Sequence, residues 1–284
     1  MNSPVVTIIC ICYNQAKFVE QALDSVIGQT YKSIELLVID DGSTDGSVKI
    51  IKNWISKHPE TTLLMNPTNV GYCKTFNKAF GISTGSYCID LAADDILLPG
   101  RVQEGLKSLT EAGTEYGVTF SDAEHVDERG NLIRLHSHKY PHKTIPNGDI
   151  YCSVIDRYFI CSPTMMFRRE VVEYLNGYDE SLAFEDFDFW VRASRKFKFI
   201  YSPAVLLKKR SVSDSMSKSQ FKRSGAQRWS TYKVCEKIKE LNRVPEENDA
   251  LKRRLRYELK LSLRMIDLKL AGAYLRLLLE LKQS

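Results

Sequence analysis

The 284-residue chain contains no run of about 18 apolar residues, so no segment reads as a membrane-spanning helix. Met1-Asn2-Ser3-Pro4 leads straight into a strand pattern without a basic start and a long apolar stretch, and the expectation is a chain carrying no secretory signal. A Gly-X-Gly-X-X-Gly turn is also missing after the first strand pattern, where the residues are Cys12-Tyr13-Asn14-Gln15-Ala16. That absence excludes the dinucleotide fingerprint of a Rossmann dehydrogenase. Paired metal-ligand spacing is lacking too. The seven cysteines (Cys10, Cys12, Cys73, Cys88, Cys152, Cys161 and Cys235) are odd in number and lie mostly in apolar segments. Cys10 and Cys12 share one face of a strand with no second pair and no histidine nearby, so reduced structural thiols in a cytosolic setting are the reading. Repeats and low-complexity stretches are absent.

What is there is enough apolar material, 43% of residues, for a real core: one α/β domain plus an appendage. The net charge of +5 conceals an asymmetry. Residues 1–190 carry 16 basic against 26 acidic side chains, and residues 191–284 carry 24 against 9. An acidic body with a basic tail is the simplest description.

Val5–Cys12 is a β-branched apolar run, and Ala16–Gln29 follows with Phe18, Val19, Ala22, Leu23, Val26 and Ile27 at helical spacing. The alternation repeats through Glu35–Asp40 and Gly46–Lys57, then Thr61–Met65 and Cys73–Ile82. Tyr87–Leu91 is a fourth strand, after which Pro99 opens a helix to Leu109. Such alternation implies a mainly parallel sheet covered on both faces, with ligands at the carboxyl ends of its strands. Tyr13-Asn14, Asp40-Asp41 and Asp94-Asp95 all fall on that edge. Further on, Gly117–Ser121 and Thr164–Arg168 read as strands and Glu124–Gly148 as a hairpin and long loop. Asp186–Phe197 reads as a helix, and Lys198–Leu207 as an extended run broken at Pro203. From Gln227 the pattern is helical, with Pro245 separating two helices and the second running from Ala250 to Leu281.

Asp94-Asp95 at a strand terminus suits a hard divalent cation bridging a diphosphate, or equally the N-terminal cap of the next helix. Asp40-Asp41-Gly42-Ser43-Thr44-Asp45 offers carboxylates to a nucleobase or ribose; the same residues also make a tight turn capped by Thr44 or Asp45. Glu185-Asp186 enters an aromatic helix (Phe187, Phe189, Trp190). A carboxylate there is placed to take a proton from an attacking hydroxyl, or is simply an acidic first turn.

In order and spacing, Tyr13-Asn14, Asp40 to Asp45, Asn69-Val70-Gly71, Asp94-Asp95 and Glu185-Asp186 together resemble glycosyltransferase family 2, over roughly residues 5–217. The resemblance implies a GT-A fold, a Rossmann-like α/β sheet sandwiched by helices. It also implies a nucleotide-sugar donor, UDP-linked in the first instance, Mn²⁺ or Mg²⁺, and inversion at the anomeric carbon. Residues 1–217 would form the catalytic domain, with 1–95 the nucleotide-binding half and 96–217 the acceptor-side half. Residues 218–284 would be a basic helical extension. By the same resemblance, Tyr13 lines the base with Asn14 beside it, Asp41 accepts from the base, Asp40 supports the ribose, and Lys74 joins the donor-binding set. Asp94 is the metal ligand with Asp95 as helper. The first acid of the family's Asp-X-Asp motif is replaced by Ala92, which keeps a catalytically silent sugar-nucleotide-binding protein as the alternative. Asp186 matches the general base, and Glu185 binds the acceptor or shares that role. Cys161-Ser162-Pro163-Thr164 and Met165–Arg168 resemble the acceptor-side segment. Arg210 and Ser215-Met216-Ser217 resemble a loop closing over the diphosphate. The histidine often seen there is missing, and Lys208, Lys209 and Arg210 either supply the positive charge or form a solvated run.

The last helix places Leu255, Leu259, Leu263, Ile266, Leu270, Tyr274 and Leu277 near one face, with basic residues mostly elsewhere. It either lies on an anionic membrane surface or docks on the body or a second subunit, as in a homodimer. The tail lacks the interleaved aromatics of a nucleic-acid binder. His136, His138 and His142 read as a mobile loop without an assigned role. A glycan or lipid-linked glycan acceptor, bacterial surface polysaccharide synthesis, and a place in the cytoplasm or on the inner face of the cell membrane complete the expectation.

Overall fold

The computed structural model describes residues 3–140, 144–212 and 225–283. Its first half is a parallel sheet of β1 (Val6–Cys12), β2 (Ile34–Asp40), β3 (Thr62–Met65) and β4 (Tyr87–Ala92), in spatial order β3-β2-β1-β4. All seven residues of β1 are buried, as a strand covered on both faces requires. Helices α1 (Val19–Ile27), α2 (Ser47–Ile55) and α3 (Tyr72–Ile82) make the crossovers. The stripe Val19, Ala22, Leu23 and Val26 is what holds α1 on the sheet. Cys12 pairs with Asp40 and Ile11 with Ala92. The residues that follow β1, β2 and β4 therefore emerge side by side on one edge.

The second half makes the sheet mixed. After β5 (Ile96–Leu97) and α4 (Arg101–Ala112) come β6 (Tyr116–Val126), β7 (Leu132–Leu135), α5 (Tyr151–Asp156), β8 (Met166–Arg168), α6 (Arg169–Leu175), α7 (Asp186–Ser194) and β9 (Lys198–Arg210). The order continues β4-β8-β6-β9-β5, with β8 antiparallel to both neighbours, β9 parallel to β6, and β7 pairing β6 as a hairpin. Two expectations change here. Pro203 does not end the strand: β9 runs on for 13 residues because the register against β6 shifts between Ser121 and Asp122, letting Pro203 and Ala204 bulge out of the ladder. The opening residues of the expected loop, Glu124–Val126, instead finish β6.

Three helices close the chain: α8 (Ala226–Leu241), α9 (Pro245–Arg264) and α10 (Leu268–Gln283). The expected single helix over 250–281 is thus two, folded back on each other. The break falls at Ile266, in the left-handed region at φ 55°, and Asp267 Oδ1 then accepts from Leu270 N (3.3 Å) at the start of α10. Leu255, Leu270, Tyr274 and Leu277 of the expected apolar face are buried in one core with Phe159, Phe187 and Trp190 of the body, whereas Leu263 and Ile266 stay exposed. Ion pairs join the basic tail to the acidic body: Lys237 Nζ to Asp188 Oδ1 (2.6 Å), Arg195 to Glu247 (2.6 Å) and Arg253 to Asp156 (2.8 Å). All seven cysteines are free and six are buried.

Candidate functional site

The donor side is built on the loops after β1 and β2. Tyr13 follows β1 with 46% of its surface exposed, leaving a ring face open at the strand end. Asn14 sits at φ 54°, its backbone N–H donating to Ser43 Oγ (2.9 Å) while its Oδ1 accepts from Thr44 N (2.8 Å). Asn14 therefore ties two loops together. Asp41 is buried and accepts from Asn66 Nδ2 (2.8 Å), Val70 N (3.0 Å) and Gly71 N (3.1 Å). Three of a carboxylate's roughly four acceptor positions are thus taken in holding the Asn69-Val70-Gly71 turn. Asp40 accepts from Ser43 N (2.9 Å) with Oδ1, while its buried Oδ2 has no donor among the described residues. Lys74 lies exposed on the first turn of α3.

Asp94 and Asp95 follow β4. Asp95 is buried and Asp94 half-buried. Burial pushes Asp94 up against the opposing pull of Lys209 and Arg210; burial and then the neighbouring Asp94 charge push Asp95 up further. Two adjacent carboxylates are hard oxygen donors that fit Mg²⁺ or Mn²⁺. The protein's share of such a coordination shell is small, because Asp95 Oδ1 already accepts from Arg210 N (2.9 Å). Arg210 itself is not the open diphosphate ligand expected. Its buried guanidinium donates to Asp94 O (3.0 Å), Glu128 O (3.0 Å) and Gln21 Oε1 (2.6 Å) and stacks over Phe18 (4.6 Å to the ring centre), so it fastens the loop that carries the two aspartates. Burial opposes the charge of its neighbour Lys209, yet Cys161, Asp95, Asp186 and Asp94 together raise it above the usual lysine range. All four groups act on that one ammonium.

Glu185 and Asp186 stand at the N-terminus of α7. Glu185 Oε2 and Asp186 Oδ1 are buried with no hydrogen-bond partner among the described residues. Burial, then the Asp186 charge, pushes Glu185 well above the usual carboxylate range. Behind them lies Asp90, which accepts from Tyr72 OH (2.7 Å) and Tyr178 OH (3.0 Å). Burial raises Asp90 to about 7, the two tyrosines lower it, and Asp186 adds to the rise.

Sequence reading missed Asp90, because an aspartate inside the strand pattern Tyr-Cys-Ile-Asp-Leu gives no outward sign of a partner 88 positions away at Tyr178. It also missed the wall made by His125, His136 and Cys161, whose ligand-type atoms lie within 4.8 Å of one another. His125 Nε2 and His136 Nδ1 are 3.2 Å apart, and His136 Nε2 donates to Phe159 O (3.0 Å). This sets His136 Nδ1 as acceptor and His125 Nε2 as donor. Burial drives both imidazoles down, His125 to about 3 and His136 to about 4, so both are neutral near pH 7. His136 is therefore a packed residue rather than part of a mobile loop; His138 lies in the adjoining short 3₁₀ turn, Ser137–Lys139. His142 and Ser215-Met216-Ser217 lie outside the described residues.

Residues 7–175 match the family described as glycosyl transferase family 2. An uncharacterized glycosyltransferase of Methanocaldococcus jannaschii is 30% identical over 215 residues, covering 74% of this chain and 72% of its own. Another, of Haemophilus influenzae, is 28% identical over 226 residues, covering 78% and 85%. In fold, the chain is similar to TarS residues 1–349 of Staphylococcus aureus in complex with UDP-GlcNAc (TM-score 0.69, 17% identity, 88% of this chain and 71% of that one). It is also similar to the mannosyltransferase PcManGT of Pyrobaculum calidifontis in complex with GDP-Man and Mn²⁺ (TM-score 0.66, 18% identity, 99% and 83%). With strand ends, carboxylates and turn motifs all in the order that this fold uses, the chain belongs to glycosyl transferase family 2 and is a glycosyltransferase.

Proposed function

We propose that this glycosyltransferase moves a sugar from a UDP-linked donor to a hydroxyl of a glycan or lipid-linked glycan, with inversion, in surface polysaccharide synthesis. The observation that carries the reading is the pair of buried, unpartnered carboxylate oxygens on Glu185 and Asp186, with Asp186, Asp94 and Asp95 all acting on the same Lys209 ammonium. Tyr13 offers its ring to the base, Asp41 its remaining acceptor position, and Asp40 Oδ2 a vacant acceptor for the ribose side. Asp94 and Asp95 would hold Mn²⁺ or Mg²⁺, which supplies charge neutralisation to the departing diphosphate when bound. Asp186 Oδ1 takes the proton of the acceptor hydroxyl, while Glu185 Oε2 hydrogen-bonds the acceptor and fixes its direction. Arg210 keeps the aspartate loop in register during this displacement.

General-base catalysis contributes about 10²- to 10⁴-fold. Asp186→Asn is therefore expected to lower transfer by about that factor while donor binding, read by titration calorimetry with UDP, stays near wild type. Normal turnover in Asp186→Asn would remove it from the role of base.

The extension offers a second contact. Leu263, Ile266, Leu268, Leu275 and Leu279 are 53, 61, 68, 46 and 50% exposed, interleaved with exposed Lys260, Arg264, Lys269 and Arg276. No described helix is long and apolar enough to cross a membrane. We assign this stripe to the surface of an anionic bilayer, where apolar burial and basic side chains act together. Co-sedimentation with phosphatidylserine vesicles is expected for the wild type and lost in Leu268→Glu/Leu275→Glu; a dimer in the absence of vesicles, broken by the same change, would assign the stripe to a second copy instead.

A further inference from the structure

We propose that Lys209 is a built-in cation of the donor site, sharing with the divalent ion the neutralisation of the nucleoside diphosphate, so that donor binding persists in part without metal. The inference rests on the reading above and goes beyond it, because it assigns to a side chain work that the fold usually leaves to an ion.

The placement comes from strand register. Ile96 pairs with Lys208 and Leu97 with Leu207 in antiparallel fashion, which brings Lys209 opposite Asp95; the bond from Arg210 N to Asp95 Oδ1 (2.9 Å) closes that corner. On the other side Lys209 pairs with His125. With that register, Asp95, Asp186 and Asp94 are the carboxylates that act on its ammonium.

The other two cations of the run are committed. Lys208 Nζ lies 3.6 Å from Glu124 Oε2, and the Arg210 guanidinium donates to Asp94 O, Glu128 O and Gln21 Oε1. Among the described residues Lys209 makes no ion pair within 4 Å. It is thus the cation of the three left to meet an anionic ligand. The same site is short of the groups that would strengthen metal binding: Ala92 stands where a first acid would, and residues 198–217 contain no histidine. An ammonium on a flexible stem is a point charge able to follow a phosphate oxygen, and in a crevice of low dielectric that charge counts for more than at an open surface. The same ammonium repels a divalent ion arriving alone at Asp94 and Asp95. Lys209 therefore helps the nucleotide and hinders the free metal.

These opposite signs give the test. Titrations of UDP, with GDP and dTDP in parallel, would be run on the whole chain in EDTA and in saturating Mn²⁺, for wild type, Lys209→Met and Lys209→Arg. Free Mn²⁺ binding to the nucleotide-free proteins would be followed by electron paramagnetic resonance. The wild type is expected to bind one nucleotide in EDTA. Lys209→Met weakens that binding by roughly 10- to 100-fold, the size of a hydrogen bond to a charged group, and binds Mn²⁺ more tightly than wild type. Lys209→Arg stays close to wild type in both. A merely structural role would weaken both ligands together. Loss of all nucleotide binding by wild type in EDTA, or unchanged EDTA binding in Lys209→Met, overturns the inference while the donor reading stands on the Mn²⁺ arm. If no nucleotide binds even with Mn²⁺, the donor reading itself falls and takes this inference with it.

Discussion

Replacing Asp90 by asparagine is expected to stabilise the protein at pH 8 and to change it far less at pH 5. Asp90 sits at about 7 in the fold against an ordinary 3.8, a rise of roughly 3 units caused first by burial. At 1.36 kcal/mol per unit, keeping it ionised in the folded state costs about 4 kcal/mol. The direction follows from proton counting: the folded state holds this proton more tightly than the unfolded chain, so the stability linked to it is complete below about pH 3.8 and is lost as pH rises through about 7. Asparagine is nearly isosteric and stays neutral. Its oxygen still accepts from Tyr72, and its amide donates to Tyr178 OH, so the exchange of bonds costs about 1 kcal/mol. Urea unfolding followed by tryptophan fluorescence from pH 5 to 8 should show the stability difference between variant and wild type growing by about 1.4 kcal/mol per pH unit between pH 5 and 7. Parallel stability curves across that range would refute the burial argument and mean that Asp90 is charged at no penalty.

Gly42 is at φ 75°, and a Cβ there would lie 2.5 Å from the carbonyl carbon of Thr68 and 2.6 Å from Asn69 N. Gly42→Ala is expected to cost about 2–4 kcal/mol by combining left-handed strain with overpacking, seen as a lower melting temperature together with weaker nucleotide binding, since the displaced turn is the one Asp41 holds. Tyr274 is fully buried, edge-on to Tyr232 at 5.3 Å, with its hydroxyl unpartnered among the described residues. Tyr274→Ala should therefore lose about 3–5 kcal/mol, while Tyr274→Phe should be neutral or stabilising, because it removes an unsatisfied polar atom and keeps the ring; chemical denaturation of both variants checks the contrast.

The parallel half of the fold was legible because β1, β2 and β4 are short β-branched runs that each end in polar residues, and parallel register leaves those residues no choice but to share an edge. The start of α7 was legible for a similar reason, with Asp186 standing first in an aromatic helix. The later sheet was harder. Pro203 argues against a strand unless one knows that its partner strand carries a compensating shift, and α5 and α6 are too short for periodicity to show. The break between α9 and α10 was invisible because Met265-Ile266-Asp267 contains neither glycine nor proline, and a β-branched residue in the left-handed region is an outlier that no propensity anticipates. Arg210 shows a different limit. A basic residue beside a diphosphate site and one that fastens a loop look alike in sequence; only its partners Gln21, Asp94 and Glu128, far apart along the chain, separate the two.

Helix α7, which begins with Asp186, has its rear covered by the extension. Lys237 neutralises Asp188, and Arg254 lies over the rings of Tyr158 and Phe187 at 3.8 and 4.7 Å. The family match ends at residue 175, before that helix begins, so the most recognisable part of the chain stops short of Glu185 and Asp186. A gene fragment trimmed at either the family boundary or the end of the strand-rich region would yield a protein that lacks Asp186 or whose α7 is stripped of its lining. For anyone exchanging tails between relatives to alter acceptor choice, the unit to transplant is the tail together with α7, since the two share one interior.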